Sequence, residues 1–139
     1  MTDESTPTPP HLIEFETPRL RVRQWRESDL APFFELACDP QVMEFLLPLP
    51  TRAESDAAAH RARALIAQKG WGFWAVERKD TGEFIGFTGL NVPMATLPFS
   101  PCVEIGWRLS RASWGQGFAT EAARGALQVG FERLGLDEI

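Results

Sequence analysis

Polar and apolar residues first alternate between Leu12 and Trp25, where Leu20, Val22 and Gln24 interleave with Arg19, Arg21 and Arg23. A period of two marks a half-buried strand, because successive side chains point to opposite faces. The segment predicts a first strand with leucine and valine turned to the core and the arginines away from it. "RESDLAPFFELACDP" follows, with Ser28 or Asp29 placed to cap a short helix, a proline in its first turn and Asp39-Pro40 as its stop. A second short helical piece is predicted over Gln41 to Leu47.

Thr51 and Glu54 form a capping box, in which a hydroxyl and a carboxylate three residues apart each satisfy one orphan amide of a helix start. Alanines and Leu65-Ile66 continue that helix, and Gly70 closes it. "GFWAVERKD" and "EFIGFTGLNV" flank Thr81-Gly82, two aromatic and β-branched runs around a tight turn, which predicts a hairpin. "PMATLPFSP", with three prolines, reads as a loop. "CVEIGWRLS" (Cys102 to Ser110) alternates again and predicts another strand. Beyond it, Ala119, Ala122, Ala123, Ala126, Leu127, Gly130, Phe131 and Leu134 fall on one face of an amphipathic helix, with Gly135 as its stop. "LDEI" reads as the opening of a further strand.

The chain has 139 residues, 44% of them hydrophobic and 24% charged, the composition of one globular domain, expected over residues 12–139 and, from its predicted strands and helices, of the α/β class. Residues 1–11, acidic and proline-rich, predict a disordered tail rather than a signal peptide. The formal charge of -5 argues against a general nucleic-acid partner. No apolar run approaches the roughly 18 residues of a membrane span, so a cytoplasmic location without a membrane partner is expected. Cys38 and Cys102 form no CxxC pair, and neither His11 nor His60 sits in a ligand cluster, so no metal is expected.

The stretch "SWGQGFATEA" (Ser113 to Ala122) sets two glycines one residue apart where a strand hands over to a helix. Unpaired amides and the helix dipole make such a junction an anion site, and glycine lets the backbone approach a bulky phosphate. From Ile105 to Thr120 there are two arginines, Arg108 and Arg111, and no acidic residue, a local reversal of the overall charge. The competing reading is a tight turn whose glycines only solve a packing problem. A dinucleotide fingerprint fails for want of a third glycine, and a P-loop for want of GK[ST].

"EIGWRLSRASWGQGFATEA" (Glu104 to Ala122) resembles the acyl-CoA-binding motif of the GCN5-related N-acetyltransferases, in particular the branch that acetylates ribosomal-protein N-termini and related amines. "ETPRLRVRQW" and "EFIGFTGL" are similar to that branch's early strands, and the resemblance runs from about Phe15 to Ile139. It implies an acyl-CoA N-acyltransferase fold, a mixed, mostly antiparallel sheet flanked by helices. It also implies acetyl-CoA as cosubstrate and an amine as acceptor. The family pattern is Gln or Arg, two residues, Gly, one residue, then Gly or Ala. Gly117 and Ala119 match its last two positions, whereas Trp114 replaces the polar first one.

By that resemblance the backbone of Gly115, Gln116, Gly117, Phe118, Ala119 and Thr120 carries the pyrophosphate, with Trp114 and Arg108 beside it. The main chain at Trp107 and Leu109 hydrogen-bonds the pantetheine arm. Glu104 is the candidate general base, direct or through water, since an amine with a pKa of about 10.4 is mostly protonated at neutral pH. A salt bridge from Glu104 to Arg108 or Arg21 is the alternative. The family commonly protonates the departing thiolate with a tyrosine or serine beyond this helix, and the chain has no tyrosine. A fifth strand, another helix and a closing hairpin would follow Ile139, which predicts a shortened chain lacking the C-terminal strands, or a homodimer that covers the strand edge. The rival function is a catalytically silent CoA- or protein-binding domain. Trp71, Trp74, Phe87, Asn91, Phe45 and Leu46 are weaker candidates for the acceptor pocket, each with a core or strand-end role as its alternative.

Overall fold

The computed structural model describes residues 12–42, 50–91, 103–136 and 139, the side chain of Glu104 excepted. Phe45, Leu46, most of the Gln41 to Leu47 piece, the proline loop, Cys102 and the tail lie outside the described residues. Five strands form one antiparallel sheet in the order of the chain: β1 (Phe15–Glu16), β2 (Leu20–Arg23), β3 (Phe73–Arg78), β4 (Phe84–Asn91) and β5 (Glu104–Leu109). Helices α1 (Leu30–Ala37) and α2 (Arg52–Lys69) come between β2 and β3, and α3 (Phe118–Gln128) follows β5.

Strand parity assigns the two faces. Trp74, Val76 and Arg78 of β3 point toward α3, since Trp74 meets Phe15, whose ring fills the space beside Gly125, and Arg78 lies over the Phe118 ring. Phe73 and Glu77 point the other way, toward an aromatic cluster that joins Phe33 of α1 to Trp25, Phe84 and Phe87. Leu20, Val22, Trp74, Val76, Ile66, Leu90, Ala122 and Ala126 are all buried in full, so one core runs through both sides of the sheet. Small residues on the buried face of α3, Ala122, Ala123 and Ala126, let that helix lie close on the strands.

Local signals place the ends of α2. Thr51 accepts from the Glu54 amide at 3.1 Å while the Glu54 carboxylate accepts from the Thr51 amide at 2.8 Å, and Gly70 ends the helix at φ 89°. The hairpin turns at Gly82, φ 74°.

Two expectations are corrected. Arg23 was expected on the open side of its strand, yet only 6% of it is exposed. The segment leading into α1 covers that face, and Arg23 is held there by Asp29 at 2.8 Å and Glu77 at 2.8 Å. Asp29 therefore spends its carboxylate on Arg23 and on the Arg26 amide rather than capping α1. Phe131, expected on the buried face of the last helix, is 46% exposed. The helix widens into a π turn over Val129–Arg133, closed by Leu134 N to Val129 O at 3.0 Å; Phe131 lies within it and is turned outward, while Leu134 after it still packs on the core. Gly135, φ 68°, then ends it, with Leu136 N donating to Gly130 O.

Candidate functional site

The junction between β5 and α3 is built from a short 3-10 turn over Arg111–Ser113, an extended Trp114 and two glycines in the left-handed region, Gly115 at φ 76° and Gly117 at φ 80°. A side chain at either glycine would be strained, which accounts for the residue type at both positions. Gly117 caps α3 without a side chain, and the first helical bond runs from Glu121 N to Gly117 O at 3.0 Å. Among the described residues, none of the N–H groups of Gly115 to Thr120 donates to the protein. Six successive amides, with the positive end of the α3 dipole behind them, thus lack an internal acceptor.

The hydrogen bonds of β5 fix which of its residues look outward. Ser110 N donates to Ile85 O at 2.8 Å and Thr88 Oγ1 to Gly106 O at 3.1 Å, so the even-numbered residues face β4. The main chains of Ile105, Trp107 and Leu109 therefore turn to the other edge, where no strand pairs with β5 among the described residues. Trp107 and Leu109 were expected there. The Leu109 carbonyl, however, is already engaged by Trp114 Nε1 at 2.9 Å, which leaves only the Leu109 amide available.

One cleft of 510 Å³ runs from this edge to the glycine turn, lined by Val42, Trp107, Arg108, Leu109, Ser113, Trp114, Gly115, Gly117, Phe118, Ala119 and Thr120. Nine of the predicted cofactor residues are among them. The lining holds one arginine and no carboxylate, and its two tryptophans are about half exposed, Trp107 at 49% and Trp114 at 47%. Gln116 is turned elsewhere: its Nε2 donates to Ala112 O at 3.1 Å, and its carbonyl accepts from Arg19 Nη1 at 2.8 Å. Phe118 is buried beneath the Arg19 and Arg78 guanidinium groups, so it supports the turn from below.

Glu104 pairs through its backbone with Asn91 at the far end of β5, and its side chain is outside the described residues. Arg21, one alternative partner for Glu104, is engaged by Glu77 at 3.0 Å and Glu16 at 3.9 Å. Trp74 is wholly buried and Trp71 and Phe87 pack on the core, so the core alternative holds for these three. His60 lies on the exposed side of α2, near Glu27. Among the described residues there is no cluster of three metal-ligating side chains, and no helix is long and apolar enough to cross a membrane.

Sequence reasoning missed a clasp across the top of the sheet. Glu121, in the first turn of α3, accepts from the Arg19 amide at 2.8 Å, from Arg19 Nε at 2.7 Å and from the Thr17 hydroxyl. Burial by itself would raise the Glu121 pKa, but the Thr17 and Arg19 hydrogen bonds and the Arg19 charge outweigh it and hold the carboxyl below its ordinary value. The one available signal was an acidic residue directly after an acid-free stretch, which demands a counter-charge without saying which arginine provides it. A larger concavity of 800 Å³ adjoins the cleft at Gly117 and Thr120 and runs along α3, lined by Glu16, Glu121 and Glu132 as well as Arg124 and Arg133. Its mixed charges make it a poorer match for an anion than the smaller cleft.

The family model for the acetyltransferase (GNAT) domain matches residues 19–139. The chain belongs to the GNAT acetyltransferase family. The GNAT chain is 36% identical over 118 residues to the uncharacterized protein YkkB of Bacillus subtilis, covering 83% of this chain and 66% of that protein. It is 33% identical over 112 residues to the FsC-acetyl coenzyme A-N(2)-transacetylase of Aspergillus fumigatus, covering 76% of this chain and 47% of that protein. It thus spans about half to two thirds of the length of these curated relatives. An acetyltransferase structure from Agrobacterium tumefaciens superimposes with a TM-score of 0.74 at 25% identity, covering 94% of this chain and 74% of that one. The GNAT acyltransferase fold, an antiparallel five-stranded sheet flanked by helices, is therefore established.

Proposed function

We propose that this GNAT domain binds acetyl-CoA along the open edge of β5 and transfers its acetyl group to a primary amine. The acceptor that its motif resembles is a protein N-terminus, with a small-molecule amine as the other class. One observation carries the reading: the amides of Gly115 to Thr120 have no internal acceptor, and five of those six residues, all but Gln116, line an acid-free cleft that continues along the outward main chain of β5. A group with a diphosphate at one end and an amide-bearing arm at the other fits that donor set. The relative named for acetyl coenzyme A and N(2) acetylation supports the same donor and the same type of bond.

When bound, acetyl-CoA supplies a thioester as the acyl donor. The glycine-turn amides hold its diphosphate, and Arg108 adds a positive charge to the same cleft. Outward main-chain groups of Ile105, Trp107 and Leu109 align the arm, and an amide on this edge donates to the acyl oxygen as negative charge develops there. Glu104 takes the proton that the amine must lose, directly or through water; as the new C–N bond forms the C–S bond of the thioester breaks, and coenzyme A leaves as the thiolate, which is protonated from solvent. Trp114 places an indole, not a polar head group, beside the phosphates.

Titrating coenzyme A against tryptophan fluorescence tests the binding step, since Trp107 and Trp114 both line the cleft. Acetyl transfer to a panel of peptides and small amines tests the chemistry. Saturable binding with turnover supports the proposal, and no binding at millimolar coenzyme A overturns it. Binding without turnover would favour the second reading, a silent cofactor-binding domain.

A further inference from the structure

We infer that Arg19 and Glu121 are positioning residues for the diphosphate of the cofactor, acting through the glycine turn; the inference rests on the cofactor reading above. Arg19 lies on the turn between β1 and β2, and its guanidinium bridges two parts of the loop that follows β5. Nε donates to Glu121 in the first turn of α3, and Nη1 donates to the Gln116 carbonyl between the two left-handed glycines. The same group stacks 4.3 Å from the centre of the Phe118 ring. Thr17 and the Arg19 amide hold the Glu121 carboxylate from the other side.

Two consequences follow for an anion at the turn. In a planar trans peptide the C=O and the next N–H point in opposite directions. Fixing the Gln116 carbonyl on Arg19 therefore aims the Gly117 amide away from Arg19. The second consequence concerns charge. Glu121 is the first carboxylate after an acid-free run, and it sits in the helical turn whose amides face the cleft. Left alone, it would repel a diphosphate and compete for the positive end of the dipole. Paired with Arg19 it does neither, and the amides of Gly115 to Thr120 keep their attraction for an anion.

The test compares two probes, coenzyme A and pantetheine, which share the arm and differ in the nucleotide and its diphosphate. Their dissociation constants are measured by calorimetry for the wild-type protein, Arg19→Gln, Glu121→Gln and the double variant. We expect Arg19→Gln to weaken coenzyme A by roughly 10- to 100-fold, as for a lost charge-assisted hydrogen bond, and Glu121→Gln to weaken it less, because that substitution loosens the clasp but also removes the repelling charge. Pantetheine affinity should stay within about twofold, because the β5 edge is untouched. The double variant should lose little more than the worse single one, since both residues serve one clasp. With acetyl-CoA, KM should rise while kcat is kept.

Equal weakening of both probes would make the clasp a folding contact and overturn the inference. A wild-type preference for coenzyme A that Arg19→Gln leaves intact overturns the clasp alone. A wild-type protein with no such preference overturns the cofactor reading and the clasp with it. Should Arg19→Gln fail to fold, Glu121→Gln, which keeps the side-chain volume, gives the same comparison. Failure of both to fold counts against positioning.

Discussion

Trp114 Nε1 donates to the carbonyl oxygen of Leu109 at 2.9 Å, so the turn after β5 is tied back to the last residue of that strand. The bond spans five residues and fixes the angle at which the glycine turn leaves the sheet. Trp114→Phe keeps an aromatic ring but deletes the donor, together with the five-membered ring that carries it. A neutral hydrogen bond of this kind contributes about 0.5–1.5 kcal/mol, so coenzyme A affinity should fall by roughly 2- to 10-fold. Trp114 is about half exposed, and the denaturant midpoint should barely move. An unchanged dissociation constant would show that the tie does not shape the cradle.

The two glycines of the turn should respond differently to alanine. A left-handed conformation costs an L-residue about 1–2 kcal/mol. At Gly115 a Cβ would meet nothing within 4 Å, so Gly115→Ala should cost that strain alone. At Gly117 a Cβ would lie 3.3 Å from Arg19 Nη2, and the substitution should also loosen the Arg19 clasp. Urea unfolding should therefore rank Gly117→Ala as the more destabilising of the two, and its loss of coenzyme A affinity should be larger. The reverse order would contradict the geometry of the turn.

What could be read in the sequence was local. Thr51, Glu54 and Gly70 set the ends of α2 through contacts within one helical turn, and Gly115 and Gly117 set the turn through their own backbone angles. The alternation of β2 correctly placed Leu20 and Val22 but gave no sign that its arginine face would be covered. The segment leading into α1 provides that cover, and one of the two carboxylates that hold Arg23 beneath it, Glu77, lies 54 residues away. Arg19 and Glu121 are separated by 102 residues, and nothing in either neighbourhood names the other. Trp114 was expected beside the phosphates in place of a polar side chain, and nothing in its neighbourhood showed that its indole N–H would be tied to the Leu109 carbonyl. Phe131 was misplaced because a period of 3.6 assumes an unbroken α-helix, and Phe131 falls within the π turn.

Arg23 should prove the most sensitive charged residue of the fold. It is buried between Asp29 and Glu77, and both carboxylates stay buried if the guanidinium is removed. Removing one partner of a buried ion pair costs about 3–5 kcal/mol, because the other charge remains without compensation. Arg23→Met should lower the unfolding free energy by about that amount, read from the urea midpoint. Arg52→Met, which breaks an exposed pair with Asp56 on α2, should cost less than about 1 kcal/mol.

Acid should destabilise this domain through two particular carboxylates. Burial would raise the Glu77 pKa, but hydrogen bonds from Arg23 and Arg21, with the charges of Arg23 and Arg26, bring it below the ordinary 4.5. Glu121 is lowered as well, by Thr17 and Arg19. A depressed folded-state pKa means that the unfolded chain takes up protons first. The stabilisation is therefore complete above the unfolded value and is lost as pH falls below about 4.5 through the folded value. Urea midpoints should be level from pH 7 to about pH 5.5 and then decline. Glu121→Gln should flatten part of that decline, and an unaltered slope would show that Glu121 titrates alike in both states.

Glu104 offers the sharpest separation of chemistry from binding. It lies five residues before Leu109 on β5, about 17 Å along an extended strand from the end that leads into the glycine turn. A substitution there should leave the amides of Gly115 to Thr120 and the Arg19 clasp undisturbed. If Glu104 takes the proton from the acceptor amine, Glu104→Gln should lower kcat by roughly 10²- to 10⁴-fold, the usual contribution of a positioned general base. Coenzyme A affinity should be unchanged. Raising the pH deprotonates the amine without help, so the deficit should narrow under alkaline conditions. A kcat within about threefold of wild type would remove Glu104 from the mechanism, and a parallel loss of coenzyme A affinity would mean that its role is in the strand rather than in proton transfer.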